Sequence, residues 1–215
     1  MSAPTMQPWR LTDVSQPLDT YAPVLALTLV RRQGEGFDVL TGIRTAAANR
    51  THPGVVSVPT QRVPVVVARQ WLDERGAGIP DSLAREVENV LARKLGMADA
   101  LELGELELAV HDLRAWQGTS VIGEDEDGLR TEDLTMFNAC IEVTAGSFPE
   151  ATASYDPIRW ARTDKFLRMV RTKEVGALEV GFDELMFCAY GLCLETAARV
   201  VTGLPWLTDR GPACG

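Results

Sequence analysis

Residues 80–96 constrain the fold more than any other stretch, because they form an amphipathic helix with a stop at each end. Pro80 suits the start of a helix and not its interior, and Asp81 or Ser82 offers an oxygen for the N-cap. Leu83, Val87, Val90 and Leu91 then recur at the spacing of one apolar face. Gly96 supplies the left-handed residue that closes a helix. A helix apolar on one side must lay that side on another element, and the flanking sequence is rich in strands.

On the N-terminal side, residues 22–32 and 36–43 are β-rich runs joined by Gln33-Gly34-Glu35-Gly36, whose glycines allow the positive φ of a hairpin loop. Residues 51–64 read as a short strand bracketed by Pro53, Pro59 and Pro64. Beyond the helix, Leu and Glu alternate over residues 101–111 as in a half-exposed strand, a composition that also suits a helix. Further strands are expected at 118–122, 134–143 and 154–161, with the acidic turn Glu124-Asp125-Glu126-Asp127-Gly128 between the first two. That turn lacks the ligand register of an EF-hand and reads as solvated. A short helix is expected at 164–171. A longer one begins at Phe182, runs through Leu185, Cys188, Ala189, Leu192, Ala197, Val200 and Val201, and ends at Gly203-Leu204-Pro205. The expected organisation is an irregular arm over 1–21 that packs through Trp9 and Leu11, one domain over 22–203, and a tail over 204–215.

A net charge of −9 and a pI near 4.8 oppose attraction to phosphate backbones and anionic lipid, so generic nucleic-acid binding and a membrane role are not expected. No apolar run reaches the roughly 20 residues of a bilayer span, and the first residues lack the basic and apolar regions of a signal peptide. A cytoplasmic location is expected. Cys140, Cys188, Cys193 and Cys214 contain no Cys-x-x-Cys pair and read mainly as buried thiols. His52 and His111 do not form a triad, because Asp112 is the direct neighbour of His111 and badly placed to orient it.

Three segments carry a family resemblance. Ser82 to Met97 resembles the end of a Nudix box, Gly-x5-Glu-x7-Arg-Glu-U-x-Glu-Glu-x-Gly-U with U apolar, when Gly96 and Met97 are its closing pair. His52-Pro53-Gly54-Val55-Val56-Ser57-Val58-Pro59 resembles the segment that enters the box in many members, and Tyr155-Asp156-Pro157-Ile158-Arg159-Trp160 is similar to the family's late strand. The resemblance implies an α+β fold: an α/β/α sandwich with a Nudix-like mixed β-sheet flanked by helices and a C-terminal helix. It also implies magnesium-dependent hydrolysis of a nucleoside diphosphate derivative, with box glutamates as metal ligands.

The departures fall on those ligands. In this register Arg93 and Lys94 stand where paired glutamates belong, and Asn89 and Val90 replace the Arg-Glu pair. Magnesium needs oxygen ligands, whereas guanidinium and ammonium groups only donate. A second register, starting at Arg85-Glu86-Val87, retains one carboxylate of three; Glu86 and Glu88 would then need Glu105 or Glu107, although two residues apart on a helix they face different ways. The usual Pro-Gly-Gly reads Pro59-Thr60-Gln61, followed by an insertion of a helix's length over 63–78.

No catalytic residue, metal or cofactor is therefore expected. The candidate ligand-binding residues are Arg44, Gln61, Arg62, Arg93, Lys94, Trp160 and Arg162, converging donors for an anion with an aromatic to stack a base. Arg93 and Lys94 have a structural reading as cations at a helix C-terminus, and Trp160 and Phe137 have one as core. Two functions stay open. One is a non-catalytic module that binds a nucleotide-like or other anionic metabolite, or a protein partner. The other is a divergent Nudix-type hydrolase, or an enzyme with metal-independent chemistry. The last helix would finish the core or make a homodimer contact; a winged-helix DNA reader is disfavoured, since the C-terminal region holds few cations and no helix pair.

Overall fold

In the computed structural model the described residues are 14, 17–33, 36–47, 56–74, 80–125 and 128–162. The expected helices at 164–171 and 182–201, the tail, Trp9, Leu11 and His52 lie outside them.

The first two strands, β1 (Ala22–Gln33) and β2 (Gly36–Arg44), pair antiparallel from Val30↔Val39 to Gln33↔Gly36, the expected hairpin. The proline-bracketed stretch gives two short strands, not one: β3 (Val56–Ser57) pairs with β2 and β4 (Thr60–Arg62) with β1. Three helices follow, α1 (Val65–Asp73), α2 (Asp81–Leu95) and α3 (Ala98–Glu102). The insertion at 63–78 thus holds a helix. Two long strands, β5 (Glu107–Asp125) and β6 (Gly128–Ala145), form an antiparallel ribbon, and β7 (Tyr155–Arg162) closes on β2. The sheet order is β3-β2-β1-β6-β5, with β6 parallel to β1 and the other pairings antiparallel, so the sheet is mixed and the fold class is α+β.

β1 is central and buried on both faces, which is why it reads as an unbroken apolar run. Leu25, Leu27 and Leu29 share one face with Leu40, Phe137, Ala139 and Ile141, and there they meet Trp71 of α1 and Leu83, Val87, Val90, Leu91 and Leu95 of α2 in one cluster. Ala26, Thr28 and Val30 point to the other face and are equally buried.

Three local expectations are corrected. Neither Asp81 nor Ser82 caps α2: Pro80 holds the N-cap position without a side-chain bond, and the Ser82 hydroxyl instead accepts from Trp71 Nε1 at 2.9 Å. The strand expected over 101–111 begins only at Glu107, because Leu101 and Glu102 complete α3 and Leu103–Gly104 turn the chain. The strands expected at 118–122 and 134–143 are parts of much longer ones. Within β5 the core-facing set changes from Leu108 and Val110 to Leu113 and Ala115, because a register shift between Val110 and Asp112 absorbs one residue.

Gly96 has φ 66°, the left-handed C-cap read from the sequence. Gly96→Ala is expected to cost about 1 kcal/mol, the penalty of a Cβ in that conformation, as a lower urea midpoint at constant m.

Candidate functional site

The site begins where the sheet splits. β6 occupies one edge of β1 along Ala22–Val30, so β2 and β4 must share the other edge: β2 takes Val30–Gln33 and β4 takes Val24–Ala26. Past Val39, β2 therefore leaves β1 and runs toward Arg44 with β3 and β7 beside it, while β4 fills the vacated edge. The gap between the end of β2 and β4 is spanned by Tyr155. Its ring packs over Gly42, and its hydroxyl accepts from the Thr60 N–H at 3.2 Å and donates to the Val58 carbonyl at 3.3 Å.

Arg44 ends β2 at this gap. It is half-buried; Nη2 donates to Thr60 Oγ1 at 3.2 Å, and Nε is fully buried with no acceptor. The ion pairs of the described residues join Arg31 to Asp38, Arg32 to Glu142, Arg62 to Glu132 and Arg69 to Asp19, and none of these carboxylates reaches Arg44. A partly desolvated guanidinium with an open donor is complementary to an anion, since an ionic acceptor makes the stronger hydrogen bond.

The other candidates scatter around this residue. Gln61 lies opposite Leu25 and Thr60 opposite Ala26, so Gln61 projects to the α2 side of the sheet while the Thr60 hydroxyl that holds Arg44 projects to the other. Arg62 is exposed and its charge is matched by Glu132, with Nη2 2.6 Å from Oε2. Arg93 is exposed and Lys94 half-buried in the last turn of α2, where the helix dipole favours cations. The Lys94 carbonyl accepts from Thr152 Oγ1 at 2.9 Å, and that oxygen also accepts from the Ser154 and Tyr155 N–H groups at 3.2 Å. The loop before β7 thus ties the end of α2 to Tyr155, and through it to Thr60 and Arg44.

Trp160 and Arg162 stand further along β7, opposite Leu40 and Asp38. Trp160 is packed against the core and meets Phe148 edge-on at 5.7 Å; the Arg31 guanidinium lies 4.5 Å from its ring centre and is held by Asp38. Phe137 is only 1% exposed and belongs to the core, the second of its two readings. Thr60, Thr152 and Tyr155 were not among the residues singled out from sequence. Their roles run through contacts between distant positions, although Thr60 in place of a glycine was a visible departure.

The divalent metal of the resemblance does not fit the residues at the end of α2. Val90 is fully buried in the core, and Arg93 and Lys94 carry no oxygen ligand. Glu86 is half-buried beside Asn89, whose amide approaches it at 3.4 Å, and Glu88 is exposed on another side of the helix. Among the described residues no three His, Cys, Asp or Glu side chains gather closely enough to hold a metal ion. No described helix is long and apolar enough to cross a membrane.

No family model matches the chain, and no curated protein does. Solved structures similar to it include the NUDIX domain of Shewanella oneidensis NrtR complexed with ADP ribose, at 13% identity over 69% of this chain and 77% of that one with a TM-score of 0.40. The E. coli dihydroneopterin triphosphate pyrophosphohydrolase is 11% identical over 83% and 97%, with a TM-score of 0.45. A NUDIX hydrolase from Alicyclobacillus acidocaldarius is 14% identical over 83% and 91%, with a TM-score of 0.48.

Proposed function

We propose that this chain is a Nudix-fold module that binds a nucleotide-like or other anionic metabolite without hydrolysing it. The observation that carries the reading is Arg44, a half-buried guanidinium with an unmatched Nε at the gap between β2 and β4. The order of elements and the box-like sequence of α2 support the family, and the residues Val90, Arg93 and Lys94 support the loss of metal chemistry. In place of a metal that neutralises phosphate, the chain offers its own cations: Arg44 to hold the anion, and Lys94 or Arg93, in the last turn of α2, to add positive charge. With no group of carboxylates among the described residues to seat a metal and activate water, bound phosphate is held and not attacked.

The test uses pyrophosphate and a nucleoside diphosphate, titrated by calorimetry in EDTA and then assayed for phosphate release with magnesium or manganese. Binding in EDTA without release in metal is the expected result. Arg44→Gln should weaken that binding about tenfold or more, because a hydrogen bond to a charged group is worth about 1.5–3 kcal/mol. Magnesium-dependent release would transfer the reading to a divergent hydrolase of nucleoside diphosphate derivatives. No binding of either probe would remove the anion site.

A further inference from the structure

The ion pair of Arg62 with Glu132 reaches over a strand. Arg62 of β4 stands opposite Val24 of β1, which in turn stands opposite Met136 of β6. Alternate residues of a strand share a face, so Arg62 projects with Thr60, and Glu132 with Leu134 and Met136, all on the side of the sheet away from α2. The pair therefore crosses above β1, over two strand spacings or about 10 Å. Arg62 Nη2 donates to both carboxylate oxygens, at 2.6 Å to Oε2.

The register gives this strap a direction. Leu134 lies opposite Ala22 and Glu132 two residues further along β6, whereas Thr60 lies opposite Ala26. Glu132 thus draws the Arg62 guanidinium toward the Ala22 end of β1, away from the Thr60 hydroxyl that holds Arg44. Two cations associated with one face of β4 are kept apart by a carboxylate. The restraint is weak, because the Arg62 side chain is 64% exposed and that of Glu132 25%, and an ion pair open to water contributes little. A phosphate offers the same guanidinium a bidentate acceptor of higher charge. The swing back to Thr60 is about 7 Å, the distance between alternate residues of a strand, and lies within the reach of an arginine side chain.

We propose that Arg62 is a second cation of the anion site, held in reserve by Glu132. A ligand with two linked phosphates takes Arg44 with one and draws Arg62 from Glu132 with the other; a single phosphate is satisfied at Arg44 and leaves the strap closed. Glu132 is then a selectivity residue that acts through Arg62. This rests on the reading of Arg44 as an anion site, and the experiment separates the two.

Phosphate and pyrophosphate are titrated calorimetrically, in EDTA, into the full chain and its variants. The readout is the ratio of the two affinities, which a merely structural strap would not move. Arg62→Gln should lower that ratio about fivefold or more while phosphate affinity changes less than about twofold, since the lost hydrogen bonds are made to the second phosphate alone. Glu132→Gln should raise the ratio, and should leave it unchanged when Arg62→Gln is already present. A general field effect of one lost carboxylate would raise both affinities together and persist without Arg62; that result overturns the proposal. Should Arg62→Gln fail to fold, Arg62→Lys decides, because lysine keeps the charge and loses the planar fork: a lowered ratio supports the switch, and an unchanged one overturns it. Phosphate bound through Arg44, with a ratio indifferent to Arg62 and Glu132, sinks the strap alone. Absence of binding of both probes in every form sinks the strap and the anion site together.

Discussion

Phe137→Ala is expected to lower the unfolding free energy by about 3–5 kcal/mol, the range for emptying a buried aromatic position. Phe137 sits at 1% exposure in the middle of β6, directly opposite Leu25 of the central strand. Its ring meets Trp71 edge-on, with centroids 5.2 Å apart and planes at 73°. Trp71 in turn donates through Nε1 to Ser82, so one aromatic pair links the sheet, α1 and the start of α2. The cavity cannot close by local collapse, because Phe137 is fixed by strands on both sides. Urea denaturation should show a lower midpoint at constant m. A double-mutant cycle with Trp71→Ala should return a coupling of about 0.5–1.5 kcal/mol, the part of the pair that area burial does not supply. A loss under about 1 kcal/mol for Phe137→Ala would show that this side of the sheet is not the packed core.

Local periodicity placed β1, β2, α2 and β7 to within a residue or two, because each is buried by a pattern written in its own span. It misread 101–111, where alternating Leu and Glu satisfies a short helix, a turn and the start of a strand in succession. It shortened β5 because the register shift near His111 breaks the alternation that would have announced one long strand. Insertion length alone pointed to α1.

At the site the residue types were legible and their partners were not. Arg44 and Arg62 look equivalent in the sequence, yet Arg62 meets Glu132, 70 positions away, while among the described residues the side-chain partner of Arg44 is the neutral hydroxyl of Thr60. What separates a matched surface cation from an open one is therefore a non-local contact. Tyr155 is a sharper case, since its hydroxyl holds Thr60 and Val58 from 95 and 97 residues away. No spacing rule reaches that far. The departure of Thr60 and Gln61 from a glycine pair gave the available hint, and the structure turns it into a hydroxyl that orients Arg44.

Gly42→Ala is expected to cost about 3 kcal/mol, at the upper end for forcing atoms into a filled space. A Cβ at this position would lie 2.7 Å from the Tyr155 Cβ, 2.8 Å from its Cγ and 2.9 Å from its Cδ1. Tyr155 cannot swing aside without loss, because it is 2% exposed and its hydroxyl is bonded at the far end of the ring. Shortening it does not remove the conflict either. In a Tyr155→Ala background the Cβ–Cβ approach of 2.7 Å remains, so Gly42→Ala should still destabilise, by about 1 kcal/mol or more. A fully suppressed penalty in that background would mean that only the ring, and not the backbone approach of β2 and β7, demands glycine. The substitution should also reach the proposed anion site: a displaced Tyr155 releases the Thr60 backbone, and Thr60 is the group that aims Arg44. Weaker pyrophosphate binding in the residual folded Gly42→Ala protein, with Arg44 itself intact, would tie the packing of one missing side chain to the recognition of the ligand.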